Sequence, residues 1–178
     1  MFINKGGIGI RYRGDIYERR AGKLIYLRSV TARNMVTTVG ANVYLNATLV
    51  SGIASPAWYC SIIAGASAPT FNVADVMSSH AGWTEITAAN VTASTRALIA
   101  WNGAASGGTV SNSSSPVSYT VASGQSFTAQ GFFLCDNNTL GTGTTGNLLS
   151  EAAFDQGAQA LTAGNVITVV VTGIIVAG

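Results

Sequence analysis

Ala57-Trp58-Tyr59-Cys60-Ser61-Ile62-Ile63-Ala64 is the stretch on which the fold turns, an aromatic and β-branched run held between Pro56 and Gly65. It is too short for a stable helix and rich in residues that pack on a pleated surface, so it predicts a central β-strand. Toward the C-terminus, runs of similar character occupy 83–87, 96–101, 116–121, 126–136, 148–154 and 166–176. Turn residues separate them: Asn102-Gly103, Gly107-Gly108, NSSSP (112–116), Ser123-Gly124 and GTGTTG (141–146). Short strands with a turn signal every 8–12 residues or so predict a mainly β domain, an antiparallel β-sandwich or jelly roll. The alternating strand–helix rhythm of a nucleotide-binding sheet is absent.

Toward the N-terminus the pattern changes. Residues 34–50 carry apolar positions at helical spacing and predict a short helix with Asn34 as its cap. A second stretch, NVADVMSSH (72–80), predicts one or two helical turns capped by Asn72. Before residue 34, IGIRYR (8–13) alternates as a half-exposed strand does, and LIYLR (24–28) reads as a second strand. Gly14-Asp15 and Ala21-Gly22 are candidate turns between them. The expected organisation is a β-hairpin arm over residues 1–33 followed by a single sandwich domain over 34–178, with no linker inside it.

The chain of 178 residues is 48% hydrophobic and only 9% charged, against about 25% charged in an ordinary soluble domain. Its mean hydropathy is +0.36. Such a surface repels its own copies weakly and suits contact with other protein. No run reaches the ~18 apolar residues of a spanning helix. The opening MFINKGGIGIRYRGDIYERR (1–20) lacks the apolar core of a signal peptide, so export is not expected. Cys60 and Cys135 both sit in apolar strand-like runs, where buried free thiols are the expectation.

Charge is distributed unevenly. Eight of the nine Lys and Arg residues precede residue 34, and with Asp15 and Glu18 that segment carries a net +6, leaving −4 on the remainder. Tyr12, Tyr17 and Tyr26 interleave with the cations. Three roles fit this pattern: docking on an acidic protein surface, a charged edge that blocks sheet-to-sheet aggregation, and stacking on nucleic acid, which is the least expected. The candidate partner-binding residues are Arg11, Arg13, Arg19, Arg20, Lys23 and Arg28, with Tyr12 and Tyr17 beside them.

Catalytic motifs fail on their context. His80 is the only histidine and follows Met77 where the expected helix closes. A zinc site needs about four ligands, which one His and two distant Cys do not provide. GTGTTG (141–146) matches a dinucleotide fingerprint in letters, without the βαβ frame that gives those letters meaning. Glu151 and Asp155, four apart, would share a face on a helix, but LLSEAAF (148–154) reads as strand, so a paired-acid site is unsupported. RGD (13–15) is a chance match, and sequons at Asn46, Asn90, Asn112 and Asn137 or Asn138 are expected to stay unmodified without export. No enzyme activity, metal or cofactor is expected.

Three blocks carry a resemblance: the basic segment ending in RNMVTTVG (33–40), then WYCSIIAG (58–65) with ADVMSSHAGWTE (74–85), then GTTGNLLSEAAF (143–154) before an apolar last strand. Together they resemble small virion structural proteins of tailed bacteriophages, most of all head decoration or cement proteins. The resemblance implies a non-enzymatic homo-oligomer, trimer or dimer, made in the host cytoplasm. It implies binding to the major capsid protein or another virion protein on the capsid surface. It implies no membrane partner. A tail or neck component is the first alternative. A carbohydrate- or receptor-binding module is the second, with Trp58, Trp83 and Trp101 as stacking faces, although all three lie in or beside expected core strands.

Overall fold

The computed structural model describes residues 7–141 and 144–176. Lys5 and two residues of the GTGTTG loop lie outside these. In chain order the elements are β1 (Gly7–Arg20), β2 (Lys23–Arg33), β3 (Met35–Val36), α1 (Thr38–Leu49), β4 (Tyr59–Ala64), β5 (Thr84–Glu85) and β6 (Ala97–Leu98). There follow β7 (Thr109–Ser111), β8 (Val117–Thr120), β9 (Ser126–Cys135), β10 (Leu148–Ala153), β11 (Gln159–Thr162) and β12 (Val166–Val176). The protein is an antiparallel β-sandwich.

The first sheet runs β2-β1-β12, with β7 and β8 both along the far edge of β12. The second runs β3-β10-β9-β4-β5, with β11 also on β9 and β6 also on β4. The chain crosses repeatedly between the sheets, so each is assembled from strands distant in sequence. The run that opened the sequence reading is β4, paired to β9 on one side and to β5 and β6 on the other.

Alternation along the strands builds the core. Tyr12, Ile16 and Val30 of the first sheet face Cys60, Ile62, Phe132, Leu134 and Ala152 of the second. Each fully buried large side chain contributes about 1.5–3 kcal/mol. The intervening residues of the second sheet, Ile63, Phe133 and Cys135, point outward yet are also buried. They form a second cluster with Met77, Trp83 and Leu148, flanked by Val39 and Phe71. Sheet two is therefore covered on both faces, which is why β4 over 60–63 and β9 over 129–135 are buried residue after residue. Sheet one is covered on one face only, and β1 alternates accordingly.

Four local expectations are corrected. Asn34 does not cap the helix: Thr37 does, its hydroxyl accepting from the Gly40 N–H at 3.0 Å, while Asn34 Oδ1 accepts from the Ile10 N–H at 2.8 Å. Gly40 carries no Cβ because one would stand 2.5 Å from the Leu149 backbone, so the helix seats directly on β10. Residues 72–80 form turns with no helix. Asn72 Oδ1 accepts from the Ala74 N–H at 3.0 Å and Asp75 Oδ2 from the Asn72 N–H at 3.1 Å, local bonds that compete with helix formation. His80 accordingly closes no helix. Gly14-Asp15 is not a turn, because both residues are paired on both sides, Asp15 with Thr168 and Ser29.

Candidate functional site

Ala21 and Gly22 have φ of +48° and +79°, the left-handed pair that a tight two-residue hairpin turn requires. From this turn the hairpin runs back into the sandwich, and residues 7–17 of β1 pair without a break along β12. The last such pair is Tyr17 with Val166; beyond it, residues 18–20 pair only with residues 23–25 of β2. The hairpin tip thus projects past the body. A register shift at Ile16/Tyr17 leaves Leu27 opposite no residue of β1, and such a bulge bends and twists the ribbon.

The tip is apolar as well as basic. Leu24, Ile25, Tyr26 and Leu27 are 45%, 43%, 54% and 40% exposed. Four consecutive large apolar side chains in solvent occur where a ribbon has no core beneath it. Tyr17 packs edge-on against Tyr26 with centroids 5.8 Å apart. Arg20 pairs with Glu18 at 2.8 Å. Arg19 and Lys23 are exposed and form no ion pair among the described residues. Arg28 anchors the base of the tip, donating to Gln159 Oε1 at 2.5 Å.

The outer face of sheet one gathers the other arginines. Arg11 stands directly opposite Arg33 on the neighbouring strand, an arrangement of like charges that costs a few tenths of a kcal/mol or more. Neither makes an ion pair among the described residues, while Arg13 holds Asp15 at 3.1 Å. With Thr31, Thr172 and Asp155 these residues line an open groove of about 260 Å³. The sequence pattern alone does not mark Arg33 as a partner of Arg11. Counting back from the Ala21-Gly22 turn places Ala32 opposite Arg11; only the bulge shifts the register by one and brings Arg33 there.

Tyr12 is corrected outright. It is 2% exposed, its ring lies 5.8 Å from that of Phe132, and its hydroxyl hydrogen-bonds Ser150 Oγ across the sandwich. Burial holds its phenol well above the usual range. It is a core residue and presents nothing to a partner. The structure thus brings Arg11 and Arg13 together on the outer face and Arg19, Arg20, Lys23 and Tyr17 at the tip, with Arg28 between them.

The remaining polar groups are interior. Arg96 donates to both carboxylate oxygens of Glu85 at 2.8 Å, and to Cys135 Sγ and the Asn137 carbonyl. Burial pushes the Cys135 thiol up to about 11 and moves Cys60 higher still. His80 stacks on Trp83 at 3.8 Å, and Trp83 Nε1 donates to Glu151 at 2.7 Å. Burial and the nearby charge of Asp75 raise the Glu151 carboxyl to about 7, although the Trp83 bond opposes the shift. Trp58 and Trp83 are buried, and Trp101 is half-buried. Among the described residues no group of three or more His, Cys, Asp or Glu is placed to hold a metal, and no helix is long and apolar enough to cross a membrane. The chain matches no family model and no curated protein.

Proposed function

We propose that the protein is a structural component of a tailed-bacteriophage virion, a decoration or cement protein that binds the head surface and stabilises it. The observation that carries this reading is the β1–β2 hairpin, whose Arg11, Arg19, Lys23 and Arg33 form no ion pair among the described residues and whose tip holds Leu24, Ile25, Tyr26 and Leu27 exposed. Opposed arginines such as Arg11 and Arg33 are stabilised when a partner's carboxylates come between them. The groove they line is open, and the acidic surface of a capsid subunit is the partner that fits it.

Many weak, equivalent contacts suffice for a cement protein, since a symmetric oligomer converts them into avidity. A clamp of this kind across neighbouring capsid subunits resists the outward pressure of packaged DNA. The sandwich body needs no chemistry for the task. Its role is to hold the hairpin rigidly, through the long ladder to β12 and the Arg28–Gln159 anchor.

Co-sedimentation of the purified chain with heads stripped of it tests the reading. The double substitution Arg11→Glu/Arg33→Glu should weaken binding by more than tenfold, which corresponds to about 1.4 kcal/mol, and raised salt should weaken the native chain in the same direction. Both residues are exposed, so the fold is unaffected. Binding that is unchanged by the substitution removes this face from the mechanism.

A further inference from the structure

We propose that the hairpin tip of one molecule inserts into an apolar groove at the far end of a second copy, so that the protein assembles head to tail. The groove lies between the two sheets at the end where β1 begins and β12 finishes. Its volume is about 510 Å³, and Ile8, Trp58, Leu98, Trp101, Ile174 and Ile175 are among its lining residues. Among the described residues no charged side chain lines it. A space of this size lies within the range, about 300–1,000 Å³, that encloses a body of several side chains.

The tip and the groove are two apolar surfaces left open by one chain, at opposite ends of a single ladder. Ile8 and Ile10 of the groove and residues 18–20 of the tip are separated by ten residues of β1, about 33 Å at the rise of a strand. The tip of a molecule therefore cannot reach its own groove. The tip reaches roughly 10 Å past its last pair with β12, enough to enter a cleft between sheets. Leu24, Ile25, Tyr26 and Leu27 supply the apolar surface that an uncharged groove excludes from water.

Charge favours the same orientation. The tip carries Arg19, Arg20 and Lys23 against Glu18 alone, so two tips repel each other and pairing of tip with tip is disfavoured. A contact between unlike patches on identical chains is heterologous: it closes into a ring or continues as a filament.

This inference rests on the reading of the hairpin as an assembly element, but its test requires no capsid. Light scattering of the purified full chain is compared for the native protein, for Ile25→Asp in the tip and for Leu98→Asp in the groove. Leu98 is 54% exposed and Ile25 43%, so both variants keep the fold, verified by unchanged near-ultraviolet dichroism. The native chain should run as a multiple of its 18.2 kDa protomer and each variant alone as a monomer. Mixed in equal amounts, the two should form a species of two protomers and nothing larger, because one intact tip then meets one intact groove. The proposal is overturned by a monomeric native chain, by an oligomer that survives either substitution, or by monomeric variants that fail to associate when mixed. A native monomer whose groove takes up a hydrophobic dye overturns it as well, and assigns the groove to a small apolar ligand. Success here with failure of head binding would leave the assembly intact and overturn only the virion reading.

Discussion

Glu151 sits in an environment that a carboxylate ordinarily avoids. It lies fully buried on β10, where Trp83 donates to it and Asp75 stands nearby. Its folded value of about 7 exceeds the ordinary 4.5, so between these values the folded protein holds a proton that the unfolded chain releases. Stability from this group is complete below the unfolded value and is lost as the pH rises through the folded one. At about 1.4 kcal/mol per unit, the loss from pH 4.5 to about 7 is on the order of 2–3 kcal/mol. Urea midpoints across this range should fall for the native protein and stay flat for Glu151→Gln, which keeps an acceptor for Trp83; parallel curves would place the titration elsewhere. Arg96 and Glu85 make the opposite case. Their pair is buried with 0% and 6% side-chain exposure and doubly hydrogen-bonded, a structural ion pair whose partners must be kept or removed together.

At the scale of elements, the hairpin divides into two functional parts. Its base is a sandwich strand pair, held by the ladder to β12, by Val30 and Ile16 in the core, and by Arg28 on Gln159. Its tip contributes no core contact. Replacing residues 18–25 by a two-residue Asn-Gly turn, with the Tyr17–Tyr26 pair retained, should therefore shift the melting temperature by less than about 2 °C. Ile16→Ala in the same strand should cost about 2–5 kcal/mol. Calorimetry of the two variants checks the division, and a large loss on shortening would make the tip part of the fold. The helix and the turns over residues 65–83 have a different role. They cover the outer face of sheet two and so protect Ile63, Phe133 and Leu148, whereas the outer face of sheet one has no such cover among the described residues.

For the whole molecule, low charge, a basic outer face and two apolar ends are the features on which the proposed assembly rests. In the proposed assembly the number of copies would follow from the angle between tip and groove contacts, and the light-scattering mass would read it directly. Three protomers would match a local three-fold position on a head. A larger closed ring would favour the neck or tail position that the sequence also allowed. In either case association should strengthen at high salt if the buried tip dominates, whereas head binding through Arg11 and Arg33 should weaken. Measuring both against salt separates the two interfaces, and a common direction for both would argue against assigning them to different surfaces.

The sandwich was legible in the sequence because its cause is local. Short β-branched and aromatic runs separated by Gly, Asn and Ser turns have few alternatives to antiparallel strands. The hairpin turn at Ala21-Gly22, the buried thiols and the concentration of cations before residue 34 were legible for the same reason. What the sequence could not settle depends on contacts between distant residues. Tyr12 alternates with arginines and looks like a surface aromatic until Phe132 and Ser150, from the opposite sheet, enclose it. Arg33 faces Arg11 only because a bulge shifts the register by one. The capping role passed from Asn34 to Thr37 because Asn34 is held by Ile10, a neighbour in space alone. The groove and the tip belong to opposite ends of one ladder, a relation that exists only once β1 has paired with β12, 153 residues apart at Asp15 and Thr168. Composition and local pattern determined that this chain forms strands and where its charge lies; long-range pairing decided which faces are buried, because burial depends on what the rest of the chain brings alongside.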